Sequence, residues 1–263
     1  MEIIAAILTL SVLGLVFGIG LSLANKKLCV ETDPRIGKIF ACLPGANCGA
    51  CGKPGCIGFA ESLIQGQADI GACVSVSEEK RKEIALVLGV ETSTKIKKIA
   101  VLHCHGGVRV KDKFLYHGLR DCIAANLVLG GQKACSYACL GFGNCVRICP
   151  FDAIKMGEDG LPVIDILKCK ACGKCVATCP KKLFTLTPID KPVYVACHSF
   201  DLGKVVMQVC PVGCIACKKC ETVCPTSAIK VINNLAVIDY NKCISCGKCV
   251  EVCPRKIILK RHE

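Results

Sequence analysis

There is no tryptophan in this chain of 263 residues, and only four tyrosines and eight phenylalanines. Bases bind single-strand readers by stacking on aromatic rings, so this scarcity argues against nucleic acid as a partner. No G-x-G-x-x-G follows a strand-like stretch, no P-loop is present, and no nucleophile stands beside a base. No flavin or nucleotide is expected on this chain, and no catalytic residues. Charge is missing from Ile3 to Ala24, where IIAAILTLSVLGLVFGIGLSLA runs for 22 residues. At about 1.5 Å per helical residue that length crosses a hydrocarbon core. A cleaved signal peptide is the competing reading, but it wants a basic start and a shorter apolar stretch. Here Glu2 precedes the run, and Lys26, Lys27, Arg35 and Lys38 follow it. The basic flank places the C-terminal side in the cytoplasm. The expectation is a single-pass anchor (1–25) in the lipid bilayer of a bacterial cytoplasmic (inner) membrane, with the soluble body inside. One uncharged span lacks the polar groups an ion pathway needs.

What the chain has in excess is cysteine, 26 of them. Three runs keep the spacing C-x2-C-x2-C-x3-C-P: Cys169, Cys172, Cys175, Cys179; Cys214, Cys217, Cys220, Cys224; and Cys243, Cys246, Cys249, Cys253. A fourth, Cys135, Cys139, Cys145, Cys149, is stretched but also closes on proline. In the bacterial ferredoxin pattern three close thiolates hold one cubane, and the fourth, before proline, ligates its neighbour. Crossed ligation then pairs Cys135, Cys139 and Cys145 with Cys179, and Cys169, Cys172 and Cys175 with Cys149. Likewise it pairs Cys214, Cys217 and Cys220 with Cys253, and Cys243, Cys246 and Cys249 with Cys224. Zinc ribbons or disulfides are the bland alternative, but zinc wants two separated C-x-x-C pairs, without a third cysteine three residues on. Free thiols also require a reducing compartment.

The formal charge of +13 does not revive a nucleic-acid reading. Each oxidised cubane with four thiolates carries on the order of −2, so five would leave the holoprotein near +3, roughly. The basic residues then serve as charge compensation or as a docking surface for an acidic redox partner.

Upstream, LPGANCGACGKPGC supplies Cys48, Cys51 and Cys56, and Cys73 follows. The glycines let backbone N–H groups approach sulfur. These four thiols would hold a further cluster, with structural zinc as the alternative. Residues 57–70 read as a short amphipathic helix returning to Cys73, and Ser77, Glu79 and Glu83 mark the start of another. Residues 91–130 show no metal spacing and read as a strand and a helix. His103 and His105 flank Cys104 there, an arrangement more often structural than ligating.

The rest is duplicated. Residues 161–186 align with 235–260 at 14 of 26 positions, and Cys149-Pro150 aligns with Cys224-Pro225. The fold class expected is α+β: an N-terminal transmembrane helix, a small helical 4Fe-4S domain (26–90), an intervening segment (91–130), then two tandem bacterial-type 2[4Fe-4S] ferredoxin modules (131–190 and 191–263). Twenty cysteines serve about five [4Fe-4S] clusters. Cys29, Cys42, Cys104, Cys122, Cys197 and Cys210 are left over. Cys104, Cys122, Cys197 and Cys210 lie at matching places in the two halves and are candidates for a sixth cluster bridging the modules; the bland alternative is that they are small buried hydrophobes.

Taken together, the anchor, the PGANCGACGKPGC site, the CHGG segment and the cysteine-rich tail resemble the B subunit of the Rnf complex. That membrane complex is a ferredoxin:NAD oxidoreductase that translocates sodium ions or protons. Short family members carry one two-cluster module, whereas this chain carries two. The resemblance implies a one-electron relay subunit, taking electrons from soluble ferredoxin and passing them to other membrane and peripheral subunits. Rival functions are an iron–sulfur relay of another membrane oxidoreductase, such as a hydrogenase-type complex, and a redox-regulatory module reducing a transcription factor.

Overall fold

The computed structural model describes residues 2–27, 33–90 and 96–261; Cys29 lies outside them. Helix α1 (Glu2–Lys27) ends on the two lysines. Its window Leu10–Lys27 is apolar enough to cross a membrane, and none of that window is buried against protein. The core helix of a soluble domain would hide such a surface.

Three helices follow. In α2 (Pro34–Cys42), Asp33 caps the start by accepting from the Arg35 N–H at 2.8 Å, and proline sits in the first turn, where a missing donor costs nothing. Helix α3 (Gly55–Ile64) covers only the first part of the helix expected over 57–70; turns and a 3-10 stretch at Ile70–Ala72 lead on to Cys73. Helix α4 (Glu78–Leu88) starts on Ser77, whose hydroxyl accepts from the Lys80 N–H, and ends on Gly89 in the left-handed conformation. The three pack Ile39, Phe59, Ala60, Leu63 and Ile84 around Cys56 and Cys73.

Strand β1 (Lys98–Leu102) and helix α5 (Cys122–Leu127) occupy the segment read as intervening. Helix α6 (Asn144–Arg147), strands β2 (Ile154–Met156) and β3 (Pro162–Ile164), helix α7 (Lys174–Thr178) and strand β4 (Phe184–Pro188) follow. Strands β2 and β3 form a hairpin with Ile154 opposite Ile164, and β1 runs antiparallel to β4 with Lys98 opposite Pro188. Strand β4 therefore finds its partner in β1, upstream of 131–190.

The second half repeats the plan. Strand β5 (Val193–Val195), helices α8 (Gly203–Val209) and α9 (Lys219–Thr222), hairpin β6 (Ile229–Ile232) and β7 (Leu235–Ile238), helix α10 (Lys248–Glu251) and strand β8 (Ile258–Lys260) come in that order. Strands β5 and β8 pair as β1 and β4 do, with Val193 opposite Lys260. Each module has a small apolar core, Ile99, Leu102, Ile154, Leu183 and Phe184 in one, and Val193, Ile229, Leu235, Ile257 and Ile258 in the other. Buried cysteines complete both: Cys145, Cys169 and Cys175, then Cys214 and Cys220.

Side chains join the halves. His103 Nδ1 lies 2.7 Å from the Val195 carbonyl and Nε2 lies 2.6 Å from Thr185 Oγ1. A carbonyl only accepts, so Nδ1 carries the proton and Nε2 accepts from the hydroxyl. Burial holds this imidazole below its usual pKa, consistent with the neutral form. Arg261 Nη2 donates to the Pro188 and Lys191 carbonyls, at 2.9 and 2.5 Å, and fixes the connection between modules.

Candidate iron–sulfur sites

Each cysteine run is a loop that turns left-handed just before its middle position. Ala171, Ala216 and Ser245 have φ of 53°, 56° and 58°, and the residues two further on, Gly173, Lys218 and Gly247, are also left-handed. For a residue with a Cβ this costs about 1–2 kcal/mol. The turns curl the chain so that successive thiols face one space before a short helix carries the third.

Those spaces are cavities walled by sulfur and hydrocarbon. One is lined by Cys149, Cys169, Cys172 and Cys175 with Phe151, Ile154 and Leu186. Cys214, Cys217, Cys220 and Cys253 line another, with Val231, Ile257 and Ile258. A third is lined by Cys224, Cys243, Cys246 and Cys249 with Val193, Ile229 and Ile238. In all three, the cysteine before proline comes from the opposite run.

The fourth cavity departs from the expectation. It is lined by Cys139, Cys145 and Cys179, but its remaining thiol is Cys122, and Cys135 does not line it. Cys122 is held there by Asn144, whose Oδ1 accepts from the Cys122 N–H at 2.9 Å while its Nδ2 donates to Asp121 Oδ2 at 2.6 Å. Asp121 in turn caps α5. Cys135 lies instead among Cys210, Cys104 and Cys197; burial first, then these neighbours, push its thiol up to about 12.

In the N-terminal domain Cys56 and Cys73 are buried in the helical core and Cys51 packs against it. Burial raises the Cys73 thiol, and Cys48 and Cys51 add to the rise. Asn47 Oδ1 accepts from the Cys56 N–H at 2.8 Å. Gly55 has φ of +83°, and a Cβ there would sit 2.8 Å from that same oxygen, so only glycine fits.

The donor set suits iron–sulfur clusters. A zinc ion with Zn–S of about 2.3 Å would draw four tetrahedral sulfurs to within about 3.8 Å of one another. Among the described residues no three Cys, His, Asp or Glu side chains converge so closely on a point. The thiols surround a space instead. Burial and mutual repulsion push Cys175 to about 12 and Cys145, Cys220 and Cys249 to about 11, so they need a cationic centre to ionise. Backbone amides already point at several sulfurs: Ala100 N–H at Cys169 (3.5 Å), Leu183 at Cys179 (3.5 Å) and Ala228 at Cys224 (3.2 Å). At Cys224 burial pushes the thiol up, but the amides of Ile229, Thr226 and Ala228 outweigh it and leave the pKa below its usual value. Such hydrogen bonds tune the potential of a bound cluster.

Family models agree with this chemistry. An Fe-S cluster family matches residues 43–75, 4Fe-4S binding domains match 139–153 and 236–259, and a 4Fe-4S dicluster domain matches 168–228. The B subunit of the Na(+)-translocating ferredoxin:NAD(+) oxidoreductase complex of Acetobacterium woodii is 45% identical over 234 residues, which span 89% of this chain and 70% of that protein. The B subunit of the ion-translocating oxidoreductase complex of Methanosarcina acetivorans is 41% identical, over 91% of both chains. Its counterpart in the proton-translocating ferredoxin:NAD(+) oxidoreductase complex of Clostridium ljungdahlii is 39% identical, over 90% of this chain and 84% of its own. The chain belongs to the family of Rnf complex B subunits. It is an electron-transfer protein that carries several iron–sulfur clusters.

Within this family assignment, the place of Cys122 has a sequence signal that spacing alone hides. Set against the second module at an offset of 75, Cys135, Cys139, Cys145 and Cys149 fall on Cys210, Cys214, Cys220 and Cys224, while Phe142 falls on Cys217. Gly141 and Gly143 have φ of 78° and 73°, so the loop keeps the turn geometry of the other runs. It lacks only the middle thiol. The 4Fe-4S family match likewise begins at residue 139, beyond Cys135.

Proposed function

We propose that this chain takes electrons from soluble ferredoxin and passes them to other subunits of an Rnf-type complex through at least five [4Fe-4S] sites. These are Cys48, Cys51, Cys56 and Cys73; Cys122, Cys139, Cys145 and Cys179; Cys149, Cys169, Cys172 and Cys175; Cys214, Cys217, Cys220 and Cys253; and Cys224, Cys243, Cys246 and Cys249. The observation that carries the reading is the repetition of one cavity, four thiols around apolar walls, at four places along a single chain. A cluster so held accepts one electron and gives it up again without moving a proton or an atom. The chain's own residues do the rest: apolar walls exclude water, amides steady sulfur, and the fold sets neighbouring sites side by side. Cys145 stands close enough to Cys175 to raise its pKa, and Cys48 close enough to Cys172 to do the same there.

The exposed apolar α1 supports a single membrane anchor, and Lys26 and Lys27 at its end support a body on the cytoplasmic side, where ferredoxin is found. The sequence offers no site for hydride acceptance, so flavin and nicotinamide chemistry belong to other subunits. Mixing the purified, iron-loaded full chain with reduced ferredoxin will bleach its cluster absorbance, while NADH alone will not. Bleaching by NADH would reveal a hydride-accepting site and overturn the assignment.

A further inference from the structure

We infer that Cys104, Cys135, Cys197 and Cys210 hold a sixth [4Fe-4S] cluster at the junction of the two modules. The inference rests on the multi-cluster reading above and adds to it the link between the halves.

Each half contributes two of the four thiols, from equivalent places. Cys104 follows the end of β1 and Cys197 the end of β5, and the hydrogen bond from His103 Nδ1 to the Val195 carbonyl ties those strand ends together. Cys135 stands four residues before Cys139, and Cys210 four before Cys214. Cys135 and Cys210 are buried in one apolar cluster with Val110, Ala138 and Val206, drawn from both modules. The amide arrangement is also repeated: the Cys139 N–H donates to Cys104 Sγ at 3.5 Å, and the Cys214 N–H to Cys197 Sγ at 3.4 Å. Each bond sets a thiol of this site directly against a ligand of the neighbouring one.

Two cations complete the symmetry. Lys181 and Arg255 each stand two residues after the cysteine that precedes proline, Cys179 and Cys253. Lys181 Nζ donates to the Gly130 and Ser136 carbonyls at 2.6 and 2.7 Å, and Arg255 Nη2 to the Cys210 carbonyl at 2.7 Å. One positive charge from each half is therefore fixed on the backbone at Cys210 and at the residue after Cys135. Together they offset the charge of about −2 that a cubane with four thiolates brings. Free buried cysteines need no such cations. No other thiol group among the described residues spans the modules, and with this one 24 of the 26 cysteines fall into six groups of four.

Iron analysis of the full chain, loaded to saturation with iron and sulfide, gives about 24 irons per chain with six clusters and about 20 with five. We expect about 24. Cys104→Ala and Cys197→Ala should each remove about four irons, and the double variant the same four and not eight, because both thiols serve one site. Cys135→Ala combined with Cys197→Ala should behave likewise; a loss of eight would return Cys135 to the first module's own site and overturn the inference. A saturated parent at about 20 irons also overturns it, whether or not any variant folds. A parent that takes up far fewer than 20, without cluster absorbance, would instead defeat the multi-cluster reading on which the inference rests.

Discussion

Stripping iron from the full chain with a chelator, under conditions that keep thiols reduced, will unfold both ferredoxin modules while leaving the membrane helix in place. The strands are three to five residues long and pair only two to a sheet. Such sheets are marginal on their own in water. The cores they cover are a handful of Ile, Leu and Val side chains with buried cysteines among them. Binding of one structural metal by thiolates is worth on the order of 10 kcal/mol, as much as the whole stability of a typical domain. Once the centre is gone, each cavity is a set of buried thiols that repel one another when ionised. Hydrogen exchange will show it: amides of β1 to β8 should lose protection by orders of magnitude on iron removal and regain it on reconstitution. Persistent protection of those strands in iron-free protein would mean that the apolar cores suffice and that the clusters are passengers.

Replacing Cys122 with alanine should cost the chain one cluster, about four irons, and adding Phe142→Cys should restore it. The reason lies in the loop around Phe142, which has the same pair of left-handed turns as the loops around Cys172, Cys217 and Cys246. A cysteine at 142 starts from the backbone geometry that the other middle ligands use. Phe142 contributes a ring contact to Tyr116, with centroids 5.6 Å apart, so the exchange gives up about 1 kcal/mol of aromatic packing. Iron content and the low-temperature spectrum of the reduced clusters report the outcome. Full iron in Cys122→Ala alone, or no recovery in the double variant, would place the missing thiolate elsewhere.

These two expectations show how unevenly the sequence spoke. The three thiols that each run from Cys169 to Cys249 turns toward one cavity were legible because they are local: a thiol three residues away can be read from spacing. The repeat was legible from the alignment of 161–186 with 235–260, and α4 from its serine cap. The partner of β4 was not, since β1 lies more than eighty residues upstream and its five residues name a strand without naming a neighbour. For the same reason Cys135 was grouped with Cys139 by proximity along the chain. In the fold, Asn144 holds Cys122 at that cavity, and Cys135 lies instead beside Cys104, Cys197 and Cys210. Only the comparison of the two halves, with Phe142 standing where Cys217 stands, carried that information in the sequence, and its meaning depends on the loop's backbone.

The central proposal is that one polypeptide holds a connected set of one-electron sites. An anaerobic titration of the iron-loaded full chain with reduced ferredoxin, followed by cluster absorbance and by spin quantitation, tests it most directly. The account predicts uptake of about six electrons per chain, one for each site, each lost from ferredoxin and gained by the chain. Uptake of two or fewer, with the remaining thiols free to react with an alkylating reagent, would contradict it.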